Sequence, residues 1–306
     1  MSASRDTGIS TLLPSWHEGA TRDSLLRFLE HADSVPPEHR VAVFDNDGTL
    51  WCEKPMYAQA DFFIAELRDA AAARPALGER PEYAALLNDV GGALGEFGLP
   101  RIAQALVELF NGMPPEEYER RSREFIMTRL HKSGRTYSQM IYTPMLELMQ
   151  ALRSRGFATF IVSGGGVEFV RAISRELYGV SPEGVVGSAV TYELQEEKGR
   201  SVLLRTATLL GGPNEGAEKV SNIQHHLGRR PIFAAGNSAG DSEMLDYALA
   251  SEGPSLALFV DHDDGAREYA YVSEAGSFAT AERILDIGRR SDWTIASMKD
   301  DWKIIF

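Results

Sequence analysis

Residues 41–50 read VAVFDNDGTL, four apolar residues running directly into two carboxylates and a glycine. Val41 to Phe44 is short, apolar and carries β-branched residues, the composition of a strand buried on both faces. The Asp-Asn-Asp-Gly cluster behind it has turn-forming chemistry. A strand is therefore expected here with acids at its C-terminal end. In an extended conformation Asp45 and Asp47 face one crevice while Asn46 points away. Two acids so placed can divide the work of ester hydrolysis. The first binds a divalent cation and attacks; the second gives a proton to the leaving alcohol and later activates water. Gly48 and Thr49 let the chain turn sharply. Taken alone, the pair equally describes an Asx-type turn with solvated acids, so its meaning depends on the rest of the chain.

Upstream, Asp23 to Ala32 has helical apolar spacing at Leu25, Leu26, Phe28 and Leu29, and Pro36 and Pro37 close it before the strand. Downstream, from about Trp51 to Gln139, the pattern is helical throughout: ADFFIAELRDAAA, YAALLNDVGGAL, RIAQALVELFNG and PEEYERRSREFIMTRL. The period then changes. A helix over Pro144 to Arg155 precedes a strand over Ala158 to Val162 that ends in SGGG, followed by a helix over Val167 to Leu177. A β-rich stretch (VVGSAVTYEL, SVLLRTATLL) leads to a helix over Ala217 to Leu227. Next come a strand over Pro231 to Ala235 ending in GNSAGD, a helix over Ser242 to Leu249, and a strand over Leu256 to Val260 ending in DHDD. Four apolar strands, each running into a polar turn and then helical sequence, predict an α/β fold with a parallel sheet covered by helices on both faces. Ligands in such sheets bind beyond the strands' C-terminal ends, so these distant turns should share one crevice.

Composition sets the bounds. The 306 residues are 43% hydrophobic and 25% charged, an ordinary globular balance. With 31 Lys and Arg against 44 Asp and Glu, the formal charge of −13 disfavours a nucleic-acid surface. A phosphate ester remains acceptable to an acidic protein if a metal ion and a few local cations neutralise it. No apolar run approaches the ~20 residues of a membrane span, and the first residues lack a signal-peptide pattern, so a cytoplasmic protein is expected. Cys52 is the single cysteine, which excludes an intrachain disulfide and a cysteine metal cluster. It reads as a small packing residue, because no histidine partner is visible to make it a nucleophile.

The segment FDNDGTL resembles the first motif of the haloacid dehalogenase-like phosphatases, an apolar strand followed by DxDGT. Ser163 in FIVSGGG resembles their second motif, whose hydroxyl and following amide, here that of Gly164, bind phosphoryl oxygens. Glycines allow the close approach of backbone N–H groups that an anion requires. Lys219, early in NEGAEKVSNIQHHLG, resembles the third motif, a lysine that stabilises the nucleophile and phosphoryl group. Lys198 is the rival and lies farther from the fourth motif. FAAGNSAGDSEML resembles that fourth motif with one departure: Asn237 stands at the first acidic position, which gives Asp241 added weight. The resemblance covers roughly Val41 to Val260. It implies a Rossmann-like core, residues 1–50 and 140–306, with a helical cap, residues 51–139, inserted between the first two motifs. It also implies Mg2+ held by Asp45, the Asp47 carbonyl and Asn237 or Asp241, and a phosphoaspartyl intermediate on Asp45 with Asp47 as general acid and base. The arrangement is most similar to the phosphoserine phosphatase-like branch.

Trp51, Glu53, Lys54 and Tyr57 begin the insertion and should lie between core and cap. There Trp51 could stack on the organic part of a small-molecule phosphomonoester and Glu53 could recognise an amine or hydroxyl, although hinge packing accounts for them equally. His225 and His226 adjoin one another and cannot share a helix face. His262, with Asp261, Asp263 and Asp264, is expected in a solvated turn. The tail DWTIASMKDDWKIIF is apolar enough to pack on the core or on a partner. Three rival readings share these residues. A dehalogenase would use the same nucleophile, but Asp47 favours a leaving group that needs a proton. A phosphotransferase would pass the phosphoryl group to an alcohol, and a non-catalytic phospho-ligand binding protein would bind without turnover.

Overall fold

The structure, a computed structural model, describes residues 12–272 and 282–306. Its centre is a seven-stranded sheet in the order β4-β3-β2-β1-β5-β6-β7. The strands are β1 (Val41–Phe44), β2 (Ala158–Gly166), β3 (Val185–Glu197), β4 (Arg200–Leu210), β5 (Phe233–Gly236), β6 (Leu256–Asp261) and β7 (Thr294–Ser297). All neighbours run parallel except the β3–β4 hairpin. The sheet steps outward from β1 in both directions, to β2 on one side and β5 on the other, in register Val41↔Ala158 and Ala42↔Phe233. This is a Rossmann-like α/β core, and β1 lies at its topological switch point.

The alternation of side chains along each strand builds two cores at once. Ala42 and Phe44, Phe233 and Ala235, and Leu256, Leu258 and Val260 enter one hydrophobic cluster. Val41 and Val43, Ala234, and Ala257 and Phe259 enter the other. Helices α1 (Ala20–His31), α7 (Thr143–Ser154) and α8 (Val167–Ile173) close the first face through Leu25, Leu29, Met145, Leu148 and Val170. Helices α9 (Ala217–Leu227), α10 (Ser242–Leu249) and α11 (Ile284–Arg290) close the second through Ile223, Met244, Leu245 and Ile284. Full burial of each such side chain contributes about 1.5–3 kcal/mol relative to exposure. A one-residue slip of β1 would exchange its faces and lose both cores.

Between β1 and α7 the chain forms α2 (Ala58–Ala73), α3 (Pro81–Asn88), α4 (Val90–Phe97), α5 (Leu99–Glu108) and α6 (Pro115–Thr128). Ile64, Leu67, Tyr83, Leu86, Ile102 and Ala105 give these helices a third hydrophobic cluster. The chain leaves and rejoins the core at one place: Cys52 N–H donates to the Met140 carbonyl and Tyr142 N–H to that of Leu50, both at 2.9 Å. The hairpin reaches across to the same helices, where the Arg205 backbone bonds to Gly112 and Met113.

Several expectations need correction. The SGGG segment is extended and closes β2, with a register shift against β3 between Val162 and Gly166, instead of forming a free turn. The tail packs on its own core. It supplies β7 and α12 (Met298–Asp301), and Trp302 is fully buried edge-on to Trp16 at 5.8 Å. His262 is buried, not solvated, because its Nε2–H donates to the Gly48 carbonyl at 2.8 Å. Asp263 and Asp264 accept from Ser297 and Arg267. No helix among the described residues is long and apolar enough to cross a membrane.

Candidate active site

Asp45 continues the β1 ladder, donating its N–H to the Ala235 carbonyl at 2.8 Å, and is thereby fixed at the sheet's C-terminal edge. The next turn closes on Asn46, whose carbonyl accepts from Thr49 N at 3.2 Å and Leu50 N at 2.8 Å. Asn46 does not merely face away as its place in an extended strand implies. It is fully buried, and its Nδ2 lies 3.3 Å from Asp47 Oδ2. Gly48 has φ +76°, and a Cβ there would fall on the Asn237 carboxamide and lie 3.0 Å from Glu53 Cδ. Only glycine combines that conformation with that closeness.

Lys219, in the first turn of α9, is buried with Nζ 2.6 Å from Asp45 Oδ1 and 2.5 Å from Asp241 Oδ1. Asp241 Oδ2 accepts from Asn237 N at 3.1 Å, Ser238 N at 3.0 Å and Ser238 Oγ at 3.1 Å, so both oxygens of this carboxylate are occupied. Gly236 allows this, since a Cβ there would lie 2.5 Å from that of Asp241. Thr49 Oγ1 donates to Asn237 Oδ1 at 3.2 Å and lies 3.5 Å from Asp45 Oδ2, which aims the amide oxygen toward the nucleophile's side of the turn. Lys198, the rival lysine, occupies the exposed β3–β4 turn.

Ser163 is buried, with Oγ 3.5 Å from Asp47 Oδ2 and accepting from Gly165 N at 3.0 Å. Asn214 Nδ2 donates to the Ser163 carbonyl at 2.9 Å, and Ser188 Oγ to that of Gly164 at 2.8 Å. Gly164 itself packs beside Glu215, whose Oε1 would lie 3.0 Å from an added Cβ. The crevice thus gathers Asp45, Asp47, Ser163, Gly164, Asn237 and Asp241 from three strand ends and Lys219 from the start of α9. Asn214, Ser188 and Gln59, which also shape it, carry no motif in the sequence and become visible only through their backbone partners.

Trp51 is buried, and its indole N–H donates to Asp47 Oδ1 at 2.9 Å while its ring packs near Phe169. Glu53 is buried with Lys54 Nζ 3.9 Å away. Burial pushes its pKa up to about 7, against the lowering pull of His262 and Lys54. Cys52 Sγ donates to Glu268 Oε1 at 2.8 Å, and burial together with that carboxylate raises its pKa, so the thiol stays protonated. This is packing chemistry, not that of a nucleophile.

Burial raises the pKa of Asp45 well above the ordinary range, and Asp241 adds to the rise while Lys219 opposes it. Burial also raises that of Asp47, against hydrogen bonds from Trp51 and Asn46. Burial alone would push Lys219 down, but the Asp241 and Asp45 carboxylates outweigh it and hold the ammonium charged. One cation thus faces the carboxylates of Asp45, Asp47 and Asp241, and the excess of negative charge suits a divalent cation. Among the described residues no three His, Cys, Asp or Glu side chains form a ready-made metal cage. Oxygen donors are at hand in the Asp45 carboxylate and the Asn237 amide, both beside Thr49 Oγ1. An oxygen set completed by water is the kind magnesium takes.

No curated protein matches the sequence. A protein of unknown function from Bordetella pertussis Tohama I has a similar structure at TM-score 0.53 and 16% identity, covering 84% of this chain and 97% of the other. A functionally unknown protein from Anaerococcus prevotii DSM 20548 is similar at TM-score 0.57 and 13% identity, covering 91% of each chain. These likenesses establish the fold alone. The family model for haloacid dehalogenase-like hydrolases matches residues 42–246, from within β1 to within α10. With most of its length matched, strands and crevice included, the chain belongs to the haloacid dehalogenase-like hydrolase family.

Proposed function

We propose that the chain is a magnesium-dependent phosphatase that hydrolyses a small-molecule phosphomonoester through a phosphoaspartyl intermediate on Asp45. The observation that carries this reading is the buried Lys219, shared between Asp45 and Asp241 beside Asp47 and Ser163. Asp45 attacks phosphorus, and the bond to the ester oxygen breaks as Asp47 gives that oxygen its proton. Asp47, now a carboxylate, takes a proton from water, whose oxygen attacks the aspartyl phosphate. Inorganic phosphate leaves and Asp45 is restored. The raised pKa of Asp47 suits a group that must hold a proton before giving it away.

Ser163 Oγ and the Gly164 N–H are assigned to the phosphoryl oxygens, and Lys219 to the charge that develops on them. Magnesium, when bound, supplies charge that brings the anionic ester to an anionic nucleophile. Asn237 is assigned to it because its oxygen faces the Asp45 side, whereas Asp241, with both oxygens engaged, positions Lys219. Residues 51–139 are assigned as a cap over the crevice, which is supported by the paired backbone where they leave and rejoin the core. Closure would exclude water from the transfer step.

The test is phosphate release from a panel of phosphomonoesters with magnesium, with EDTA, and with Asp45→Asn. Turnover that needs magnesium and is lost in Asp45→Asn is expected. An Asp45→Asn variant as active as wild type would end the mechanism.

A further inference from the structure

The phosphoryl-binding segment contains Gly164, Gly165 and Gly166 in succession, the residue type with the most backbone freedom to lose. Such a segment does not hold a geometry unaided. On its carbonyl side it is tied by Asn214 and Ser188, which belong to the core. On its amide side the Gly165 N–H bonds back to Ser163 Oγ, and the Gly166 N–H is tied from outside the core. Gln59, in the first turn of α2, accepts the Gly166 N–H through Oε1 at 2.8 Å. The same carboxamide donates through Nε2 to Tyr118 Oη on α6 at 3.4 Å.

The carboxamide borders the same side of Gly165 as two of the reacting groups. A Cβ placed on Gly165 would lie 3.1 Å from Gln59 Oε1, 3.2 Å from Ser163 Oγ and 3.7 Å from Asp47 Oδ2. Tyr118 is itself held firmly. It is 1% exposed, its ring meets Phe110 edge-on at 5.0 Å, and the Arg205 guanidinium lies 3.8 Å over its face. Arg205 is buried on β4 and paired with Glu168, two residues beyond Gly166. One closed circuit therefore runs from the glycine segment through α2 and α6 to the hairpin and back to the start of α8.

We propose that Gln59 is a positioning residue that makes the anion-binding geometry of Ser163 to Gly166 conditional on the seating of α2 and α6 against the core. When these helices lift, the Gly166 amide loses its acceptor and the segment relaxes. When they seat, the site is assembled. The inserted helices thereby assemble the phosphoryl site as well as covering it. This rests on the phosphatase reading for the identity of the anion, but the tie between Gln59 and Gly166 does not.

The experiment compares full-length wild type with Gln59→Met, which keeps the length and loses donor and acceptor, and with Gln59→Glu, which keeps an acceptor oxygen for Gly166. Hydrogen exchange over 161–170 and melting temperature are measured without ligand. Binding of inorganic phosphate is then measured by calorimetry in magnesium, and KM and kcat with p-nitrophenyl phosphate. Gln59→Met is expected to exchange the Gly166 amide about tenfold faster, with a similar loss of phosphate affinity and a rise in KM larger than the fall in kcat. Its melting temperature stays close to that of wild type, and Gln59→Glu regains slow exchange.

Unchanged exchange and unchanged phosphate affinity in Gln59→Met overturn the proposal. So does faster exchange throughout the chain with a lowered melting temperature, which marks a merely structural residue. If Gln59→Met does not fold, failure of Gln59→Glu to protect the Gly166 amide overturns the proposal equally. A wild type that neither binds nor releases phosphate, yet whose Gly166 protection still depends on Gln59, sinks the phosphatase reading and leaves the tie standing.

Discussion

Replacing Lys219 by Met removes the one cation buried between Asp45 and Asp241 while keeping most of the side-chain volume. Removing one partner of a buried ion pair typically costs about 3–5 kcal/mol, because the group left behind is charged and desolvated. Here Asp241 retains three other donors, so the larger share of the loss falls on Asp45, whose remaining contact is Thr49 Oγ1 at 3.5 Å. The loss depends on pH with a definite sign. The folded pKa of Asp45 already lies above its ordinary 3.8, so its favourable contribution is complete below 3.8 and falls away as pH rises through the folded value. Lys219, raised above its ordinary 10.5, stays charged in wild type across the neutral range. Without it Asp45 titrates higher still, and at pH 5 it takes up a proton more readily than at pH 8. Each pH unit of that uptake is worth about 1.4 kcal/mol. Lys219→Met should therefore lose about 3–5 kcal/mol at pH 8 and less than that at pH 5. Urea unfolding followed by tryptophan fluorescence in EDTA at the two pH values measures both. A loss below about 1 kcal/mol at pH 8, or equal losses at the two, would refute the electrostatic account.

Gly48→Ala combines a left-handed backbone with a Cβ driven onto Asn237, and should cost about 2–4 kcal/mol in the same unfolding assay. A stability within about 0.5 kcal/mol of wild type would show that the turn can relax. Trp51→Phe removes the indole donor that lowers the pKa of Asp47. The limb of the pH–rate profile that reports Asp47 should move to higher pH, with a fall in kcat/KM of about tenfold or more. A limb that stays in place would mean the indole does not govern Asp47.

The elements that sequence made legible are those in which a short-range pattern and the final environment agree. Val41 to Phe44, Ile161 to Val162, Phe233 to Ala235 and Leu256 to Val260 are continuous apolar runs because both of their faces are buried, and the first three lead into the segments that line the crevice. Asp45, Asp47, Ser163, Asn237 and Asp241 could be named because each follows such a run, and Lys219 because its helix precedes the run at Phe233. Thr294 to Ser297 escaped because β7 is a short edge strand of mixed residues, and only pairing with β6 makes it a strand. His262 escaped for a related reason. Among three aspartates it looks solvated, but the Gly48 carbonyl it bonds to is supplied by a segment 214 residues away. Gln59, Ser188 and Asn214 act through backbone partners, and a side chain that bonds to a distant main chain leaves no spacing to read. Asn46 shows the limit of strand periodicity: two residues past β1 its carbonyl already closes a turn.

The paired backbone where residues 52 and 140 meet also bears on how the chain folds. β1 and β2 pair as neighbours although Val41 and Ala158 lie far apart in sequence, a separation that ordinarily slows folding. Because Cys52 bonds to Met140 and Tyr142 to Leu50, closing that doorway reduces the effective separation to that of a single βαβ crossover through α7. The entropy of closure grows only slowly with the length enclosed, so the core is nearly indifferent to how many residues lie beyond the doorway. A helical segment of another length should then leave the register of β1 against β2 unchanged, which makes this paired backbone the natural junction for grafting a different insertion onto the same sheet.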